Sequence, residues 1–373
     1  MKIMLNAHLL SAQLGYRSAG IHGYIYNTLA HLSQIAPDDW SFTTFVGKKN
    51  PHTFEGISLA PAGWDTTSPI KRILWEQTIQ PFRLMGGDLL HSMTFVSPLI
   101  LPIKSVVTVY DLSFVYYPHV LSASRRLYLR MFTALSCRRA ERVIAISEST
   151  ARDVAKTFNI SPDKIDVAPC GYDSAQFRPI DKQIVADFKQ KKGLPDRFWL
   201  FIGTLEPRKN LTTLLDAYAM LPRQNRIPLL LGGGKGWLYE DIFARIEKYD
   251  LQNDVHLLGF VPQDELPLWY NSAEAFLYPS IFEGFGLPVL EAMACGVPVV
   301  ISDASSLPEV GANAGLCVPP HDIEAWRDAL ARVINDDEWR KEASIKGLEE
   351  AKRYSWQKTA QATIASYQQV LKY

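Results

Sequence analysis

Apolar residues along this chain come in short, nearly continuous runs, separated by longer stretches with helical spacing. In the first half the runs are Lys2–Ala7, Phe42–Val46, Leu89–His91, Ser105–Tyr110 and Val143–Ile146. A short run without polar alternation reads as a strand buried on both faces. Helical spacing intervenes at Tyr24–Ser33 and Ala123–Arg139. The pattern therefore predicts an α/β fold with parallel sheets covered on both faces. Lys2–Ala7, a loop of small and polar residues from Ser11 to Gly23, and then a helix form the opening of an open α/β domain. Ligands of such domains sit at the carboxyl ends of strands.

The texture changes after residue 170, where Pro169, Gly171, Pro179, Gly193 and Pro195 surround the polar segment KQIVADFKQKK. Phe198–Ile202 restarts the alternation. It continues through Leu211–Leu221, Pro228–Leu231, Leu238–Tyr249, Val255–Leu258, Leu266–Ser272, Ala275–Tyr278 and Val297–Ile301, and from Asp322 the chain is helical, with a break near Tyr354–Trp356. A domain boundary at 178/179 follows from the proline-rich stretch. With 373 residues the chain has room for about two cores.

Charge adds an asymmetry that the balanced total hides. Residues 1–180 carry 18 Lys and Arg against 13 Asp and Glu, and residues 181–373 carry 21 against 26. Six arginines between Arg125 and Arg142 supply much of the first-half excess, which can attract an anionic surface or substrate. The helix they lie on reads either as a surface helix with one buried face or as a peripheral contact with an anionic membrane. The four cysteines show no C-x-x-C spacing, which argues against a zinc ribbon or redox motif and fits a reducing compartment. No apolar run approaches the length of a membrane span, so a cytoplasmic chain, peripheral at most, is expected.

The candidate chemistry centres on PSIFEGFGLPVLEAMACGVP, Pro279–Pro298. Gly284 and Gly286 permit close approach of backbone to a ligand. Pro288 suits the first turn of a short helix, Val289–Ala294, whose free N–H groups carry partial positive charge. That makes an anion cradle with Glu283 on the entering loop and Glu291 one turn into the helix. A phosphate on the cradle, a diol on one acid and polar groups on the other describe a sugar nucleotide. The other reading is a solvent-facing loop before a core helix.

Several segments together resemble the retaining glycosyltransferases of family 4. They are GFVPQDELPLWYNSAEAFLYPS, EGFGLPVLEAMACGVPVV, Glu309-Val310, AGLCVPP and D-x-x-A-W, supported by IGTLEPRKN, VAPCGYD and ERVIAISESTARDV. The resemblance implies a GT-B fold of two facing Rossmann-like domains. An acceptor-side domain would span 1–178 with the last helix, 357–373, and a nucleotide-sugar domain 179–356. It implies that Glu291 binds ribose hydroxyls, that Glu283 holds donor-sugar hydroxyls and that the Phe285–Leu287 N–H groups meet the diphosphate. Lys209 would neutralise the leaving diphosphate, and Val261 would meet the base through its backbone. The expected partners are a nucleotide sugar and a saccharide or lipid-linked acceptor, with no nucleic acid. Neither a cofactor nor a metal is expected, since the chain has no Asp-x-Asp motif and no compact His/carboxylate cluster.

The sequence departs from the family pattern in three places. Thr204 follows Gly203 where an arginine is usual, leaving Arg208 either to take over its charge or to be a solvated surface residue. Tyr110 precedes Asp111 where a histidine is usual, and reads either as a hydroxyl donor to the sugar or as a packed aromatic. GIHGY, Gly20–Tyr24, stands where a glycine-rich run is usual; Gly20 and Gly23 would bring backbone near the donor phosphate or acceptor, and His22 is either an acceptor-side base or merely polar. Gly232–Gly234 reads as lining of the nucleotide pocket or as an ordinary turn. His8 and His91 read as structural. A non-enzymatic alternative, a nucleotide-sugar-binding scaffold, follows from Thr204 and Tyr110.

Overall fold

The computed structural model describes residues 1–10, 19–117 and 121–372. The chain divides into two compact units, Met1–Gly171 with Trp356–Tyr373, and Tyr172–Ser355. The first crossing lies ahead of the 178/179 boundary drawn from the prolines, because residues 177–180 already pack on the second unit. Asn271 donates to the Arg178 carbonyl at 3.0 Å and accepts from the Ile180 N–H at 2.9 Å, and Phe177 packs beside Tyr270.

The first unit is built on seven parallel strands: β1 (Lys2–Asn6), β2 (Ser41–Val46), β3 (Ile57–Pro61), β4 (Leu89–Ser92), β5 (Lys104–Val109), β6 (Arg142–Ala145) and β7 (Ile165–Val167). Their order is β3-β2-β1-β4-β5-β6-β7. Helices α1 (Ala19–Ile35), α2 (Pro69–Thr78), α3 (Gln80–Arg83), α4 (Ser113–Tyr116), α5 (Ala123–Arg139) and α6 (Glu148–Phe158) connect them. Ile3 and Leu5 of β1 and Val106, Val107 and Val109 of β5 are fully buried, as a sheet covered on both faces requires. Ser147 caps α6 by accepting from the Thr150 N–H at 3.0 Å.

The second unit carries six parallel strands: β8 (Trp199–Ile202), β9 (Leu229–Gly232), β10 (Val255–Gly259), β11 (Ala275–Tyr278), β12 (Val299–Ser302) and β13 (Leu316–Val318), in the order β10-β9-β8-β11-β12-β13. Its helices are α7 (Lys182–Lys192), α8 (Leu211–Ala219), α9 (Glu240–Lys248), α10 (Leu266–Ser272), α11 (Leu287–Ala294), α12 (Leu307–Gly311), α13 (Ile323–Asn335) and α14 (Asp337–Ala351). Asp322 and Asp336 cap α13 and α14. Helix α15 (Trp356–Leu371) then returns to the first unit. There the Tyr367 hydroxyl meets His91 Nδ1 at 2.5 Å, and His91 Nε2 meets Thr108 at 2.7 Å. Burial holds the His91 imidazole neutral, at a pKa of about 3, so this histidine joins β4, β5 and α15 as a structural residue.

Strands β3, β7 and β13 are absent from the pattern of apolar runs. All three lie on sheet edges and carry partly exposed side chains; Ser58 and Asp166 interrupt β3 and β7, and β13 is only three residues long. In both sheets the strand order reverses beside the first strand, between β1 and β4 and between β8 and β11. Open α/β sheets bind ligands in the crevice at such points. Among the described residues, no helix is long and apolar enough to cross a membrane.

Candidate active site

Strands β8 and β11 lie side by side, with Trp199 opposite Ala275 and Leu200 opposite Phe276. The loops that leave their carboxyl ends therefore emerge together. The first, after Gly203, ends in a short turn at Pro207–Lys209, and Asn210, at φ 54°, swings the chain into α8. Lys209 is buried at that corner. Its ammonium donates to the Tyr278 hydroxyl at 2.7 Å and to Glu283 Oε1 at 2.5 Å. Ser280 donates to the same oxygen at 2.6 Å. Glu283 Oε2 accepts from Arg208 Nη1 at 3.0 Å, while the rest of the guanidinium is held by Glu206 and the Phe282 carbonyl. Arg208 is thus partly buried and ion-paired to both acids, which is not the solvated arginine of the second reading. Burial alone would push the Glu283 carboxyl up, but the Lys209 and Arg208 charges and the Lys209 and Ser280 hydrogen bonds outweigh it and hold the pKa at about 2. Glu283 is a fixed carboxylate between two cations.

The segment from Glu283 into α11 is shaped by two serines of the loop after β12. Ser305 and Ser306 donate to the Glu283 carbonyl at 2.7 and 3.0 Å, and Ser306 also reaches the Phe285 carbonyl at 2.9 Å. Gly286 has φ 112°, and a Cβ there would come within 2.8 Å of Leu307. The positive φ favours glycine, and any larger residue would also displace the end of the Leu307 side chain. Among the described residues, the Phe285, Gly286 and Leu287 N–H groups have no acceptor, as expected of the first turn of a helix. Glu291 lies one turn further on. Its Oε2 accepts from the Tyr270 hydroxyl of α10 at 3.0 Å, and burial raises its pKa to about 7 against that hydrogen bond. The two acids that bracket the motif therefore sit in opposite electrostatic states, one stabilised as an anion and the other poised near neutrality.

The remaining residues expected at the donor site lie beside the same loops. Gly233, at φ 145°, crosses Gly203 so closely that a Cβ would lie 1.8 Å from the Gly203 carbonyl oxygen. The Gly234 carbonyl accepts from the Leu205 N–H at 3.0 Å, pinning the two loops together around Thr204. Val261, just past β10, lies against Gly232 at the end of β9. Gly232–Gly234 is thus a close backbone crossing.

In the first unit, Gly20, His22 and Gly23 lie on the first turns of α1 and not in a loop; the Ser11–Ser18 part of the expected loop lies outside the described residues. His22 is buried beside Tyr26 and His52, and burial and the His52 charge lower its pKa. A Cβ on Gly20 or Gly23 would meet nothing within 4 Å among the described residues. Tyr110 is buried, with its ring edge-on to Tyr24 and Phe95 and its hydroxyl donating to the Met93 carbonyl at 2.8 Å. That is the packed aromatic of the two readings. Asp111, two residues past β5, accepts from the Ser113 N–H at 2.8 Å and shapes the entry to α4.

Sequence reasoning did not single out Tyr270, Tyr278, Ser280, Glu206, Ser305 and Ser306, which hold the charged groups in place. The first two sit in quoted motifs, where an aromatic residue in an apolar run gives no sign that its hydroxyl is used. In the first unit it also missed a polar group past β1, in which buried Asn6 donates to Glu76 at 3.1 Å and His8 lies against Trp75. Among the described residues, no three His, Cys, Asp or Glu side chains cluster as a metal site.

Comparison with known proteins agrees with this geometry. Residues 183–350 match the sequence model of glycosyl transferases group 1, and residues 47–176 match that of glycosyltransferase family 4. The chain is 36% identical over 267 residues to O-antigen chain mannosyltransferase B of Escherichia coli, covering 71% of this chain and 70% of that one. It is 34% identical over 242 residues to the serotype-specific mannosyltransferase WbdA of Escherichia coli, of which it spans only 29%. Among solved structures, a sucrose-phosphate synthase from Thermosynechococcus elongatus aligns over 100% of this chain and 99% of its own, with TM-score 0.78 and 22% identity. Anabaena Alr3699/HepE, in complex with UDP and glucose, aligns over 98% of this chain and 99% of its own, with TM-score 0.75 and 19% identity. At such identities the structures show the fold alone, GT-B with two Rossmann-like units. With its site at the switch point of the second sheet and matches across both units, the chain belongs to the glycosyl transferases group 1, a family of glycosyltransferases.

Proposed function

We propose that the chain is a retaining, metal-independent hexosyltransferase that takes its sugar from a nucleotide diphosphate and passes it to a saccharide or lipid-linked acceptor in surface-polysaccharide assembly. The observation that carries this reading is the buried Lys209–Glu283–Arg208 cluster beside the open N-terminus of α11. Cleavage of a glycosyl phosphate places negative charge on the departing nucleotide and positive charge on the sugar. Lys209, Arg208 and the Phe285–Leu287 N–H groups would meet the first charge, and the Glu283 carboxylate the second. One preorganised contact of this kind is worth roughly 3–4 kcal/mol in the transition state. With two cations and a helix terminus on the diphosphate, no divalent ion is needed. Glu291, held by Tyr270, would accept the ribose hydroxyls. Retention follows if the departing phosphate accepts the acceptor's proton on the same face, a route that asks for no protein base.

GDP-mannose is the donor we put first, because the two relatives described above are named mannosyltransferases and TLEPRKN resembles that group. UDP-glucose is second. A thermal-shift panel of GDP, UDP, ADP and their sugars tests the donor, since a ligand stabilises the fold in proportion to its affinity. The largest shift is expected with GDP-mannose, undiminished by EDTA. Loss of the shift or of turnover on chelation would overturn metal independence, and binding without turnover on any acceptor would favour the scaffold.

A further inference from the structure

Fourteen buried side-chain polar atoms have no hydrogen-bond partner among the described residues, and four of them belong to one group past β1. They are both ring nitrogens of His8, Gln80 Nε2 and the Tyr128 hydroxyl. His8 stands in the turn that follows β1, only 7% exposed, with its ring centred 4.5 Å from that of Trp75 on α2. Arg72, Glu76 and Gln80 succeed one another at four-residue spacing from α2 into α3, so one helical row presents them. Asn6, the last residue of β1, donates to Glu76 Oε1 at 3.1 Å and to Gln80 Oε1 at 3.5 Å, and Arg72 Nε stands 3.9 Å from the same Glu76 oxygen. Glu76 Oε2 has no donor among the described residues. Tyr128, on α5, lies close enough to feel both the Glu76 and the Arg72 charge.

A buried polar atom left unpaired is costly, and native folds rarely keep one without a function or a further partner. Four around a single carboxylate point to a molecule that completes the group. Position agrees, because β1 borders the reversal of strand order in the first sheet, where open α/β domains take their ligands. The chemistry narrows the class. Glu76 repels an anion and Arg72 a cation, and no three His, Cys, Asp or Glu side chains gather as a metal site among the described residues. Burial and the Arg72 charge hold His8 neutral, at a pKa of about 3, so its ring offers one donor and one acceptor. Gln80 Nε2 adds a donor, Glu76 Oε2 an acceptor and the Tyr128 hydroxyl either. Interleaved donors and acceptors suit hydroxyl groups, each of which gives and takes a hydrogen bond.

We infer that His8, Glu76 and Gln80 form a subsite for the hydroxyls of an uncharged sugar unit of the acceptor. The assignment rests on the reading of the chain as a glycosyltransferase with a saccharide acceptor, and it commits the recognised end of that acceptor to a neutral sugar. Arg72 and Tyr128, the half-buried members of the group, turn aside as the sugar enters. Saturation-transfer NMR on the intact chain tests it, with the methyl glycosides of mannose, glucose, galactose and N-acetylglucosamine, and with GDP and UDP both present. At least one glycoside should receive saturation. His8→Phe keeps a ring against Trp75, Gln80→Met keeps the length of the side chain, and both remove unpartnered nitrogens. Each variant should melt at or above the temperature of the parent yet bind the glycoside roughly tenfold or more weakly. A merely structural role would not couple kept stability to lost binding. No saturation transfer with any glycoside, variants that bind it like the parent, or variants that both melt lower would overturn the inference. Glycoside binding that the two variants lose, in a chain that shows no thermal shift with any nucleoside diphosphate, would uphold the subsite and count against the donor site.

Discussion

Glu283 and Glu291 share a side chain but not a charge state, and the difference sets what each residue can be tested for. Glu291 has a folded pKa of about 7, above its ordinary value of 4.5. The folded protein therefore holds a proton that the unfolded chain has lost. Stability associated with this group is fully present below pH 4.5 and is lost as pH rises through 7. Glu291→Gln should leave the ligand-free protein unchanged near pH 4.5 and stabilise it above pH 7 by about 2 kcal/mol, allowing for partial exposure, as read by denaturant unfolding. If Glu291 holds the ribose hydroxyls as a carboxylate, as proposed, nucleotide affinity should fall by up to about tenfold per pH unit below 7 and level off above it. Calorimetric titration across that range checks the slope, which Glu291→Gln should abolish. The two acids were legible from their spacing. Their opposite states were not, because Tyr270, Tyr278 and Ser280 arrive from other elements and only the fold brings them together.

At the scale of elements, the central strands and their helices were legible because burial on both faces leaves an uninterrupted apolar run. Of the edge strands, β10 was legible from Val255–Leu258, whereas β3, β7 and β13 were not, being short and either interrupted by a polar residue or only three residues long. The start of α1 was misplaced because Gly20 and Gly23 read as loop, although both are accommodated in the helix. Gly286 marks an element boundary that sequence did place, and the structure adds why: positive φ and the approach of Leu307. Gly286→Ala should destabilise the second unit by about 1–3 kcal/mol and weaken nucleotide binding together with it. Gly20→Ala, whose Cβ would meet nothing within 4 Å among the described residues, should not destabilise the first unit. Equal effects of the two substitutions in a melting experiment would contradict the assignment of strain.

The whole molecule consists of two units with separate cores, and α15 closes the first of them from the far end of the chain. Tyr367→Phe would leave Nδ1 of the buried His91 without its partner, at a cost of about 1–3 kcal/mol. That loss belongs to the first unit, so denaturation should separate into two transitions, with the nucleotide-dependent one unmoved. Family membership was legible across the whole length, and the resemblance also implied the roles of the two acids; the geometry adds their opposite electrostatic states. The most direct test is turnover by Glu283→Gln, a substitution that keeps the shape of the site and leaves Lys209 and Arg208 free to hold the diphosphate. Transfer or release of sugar from the nucleotide sugar should fall by roughly 10²–10³-fold, with nucleoside diphosphate affinity kept within a few-fold. Turnover that survives the substitution would contradict a role for Glu283 at the reacting sugar.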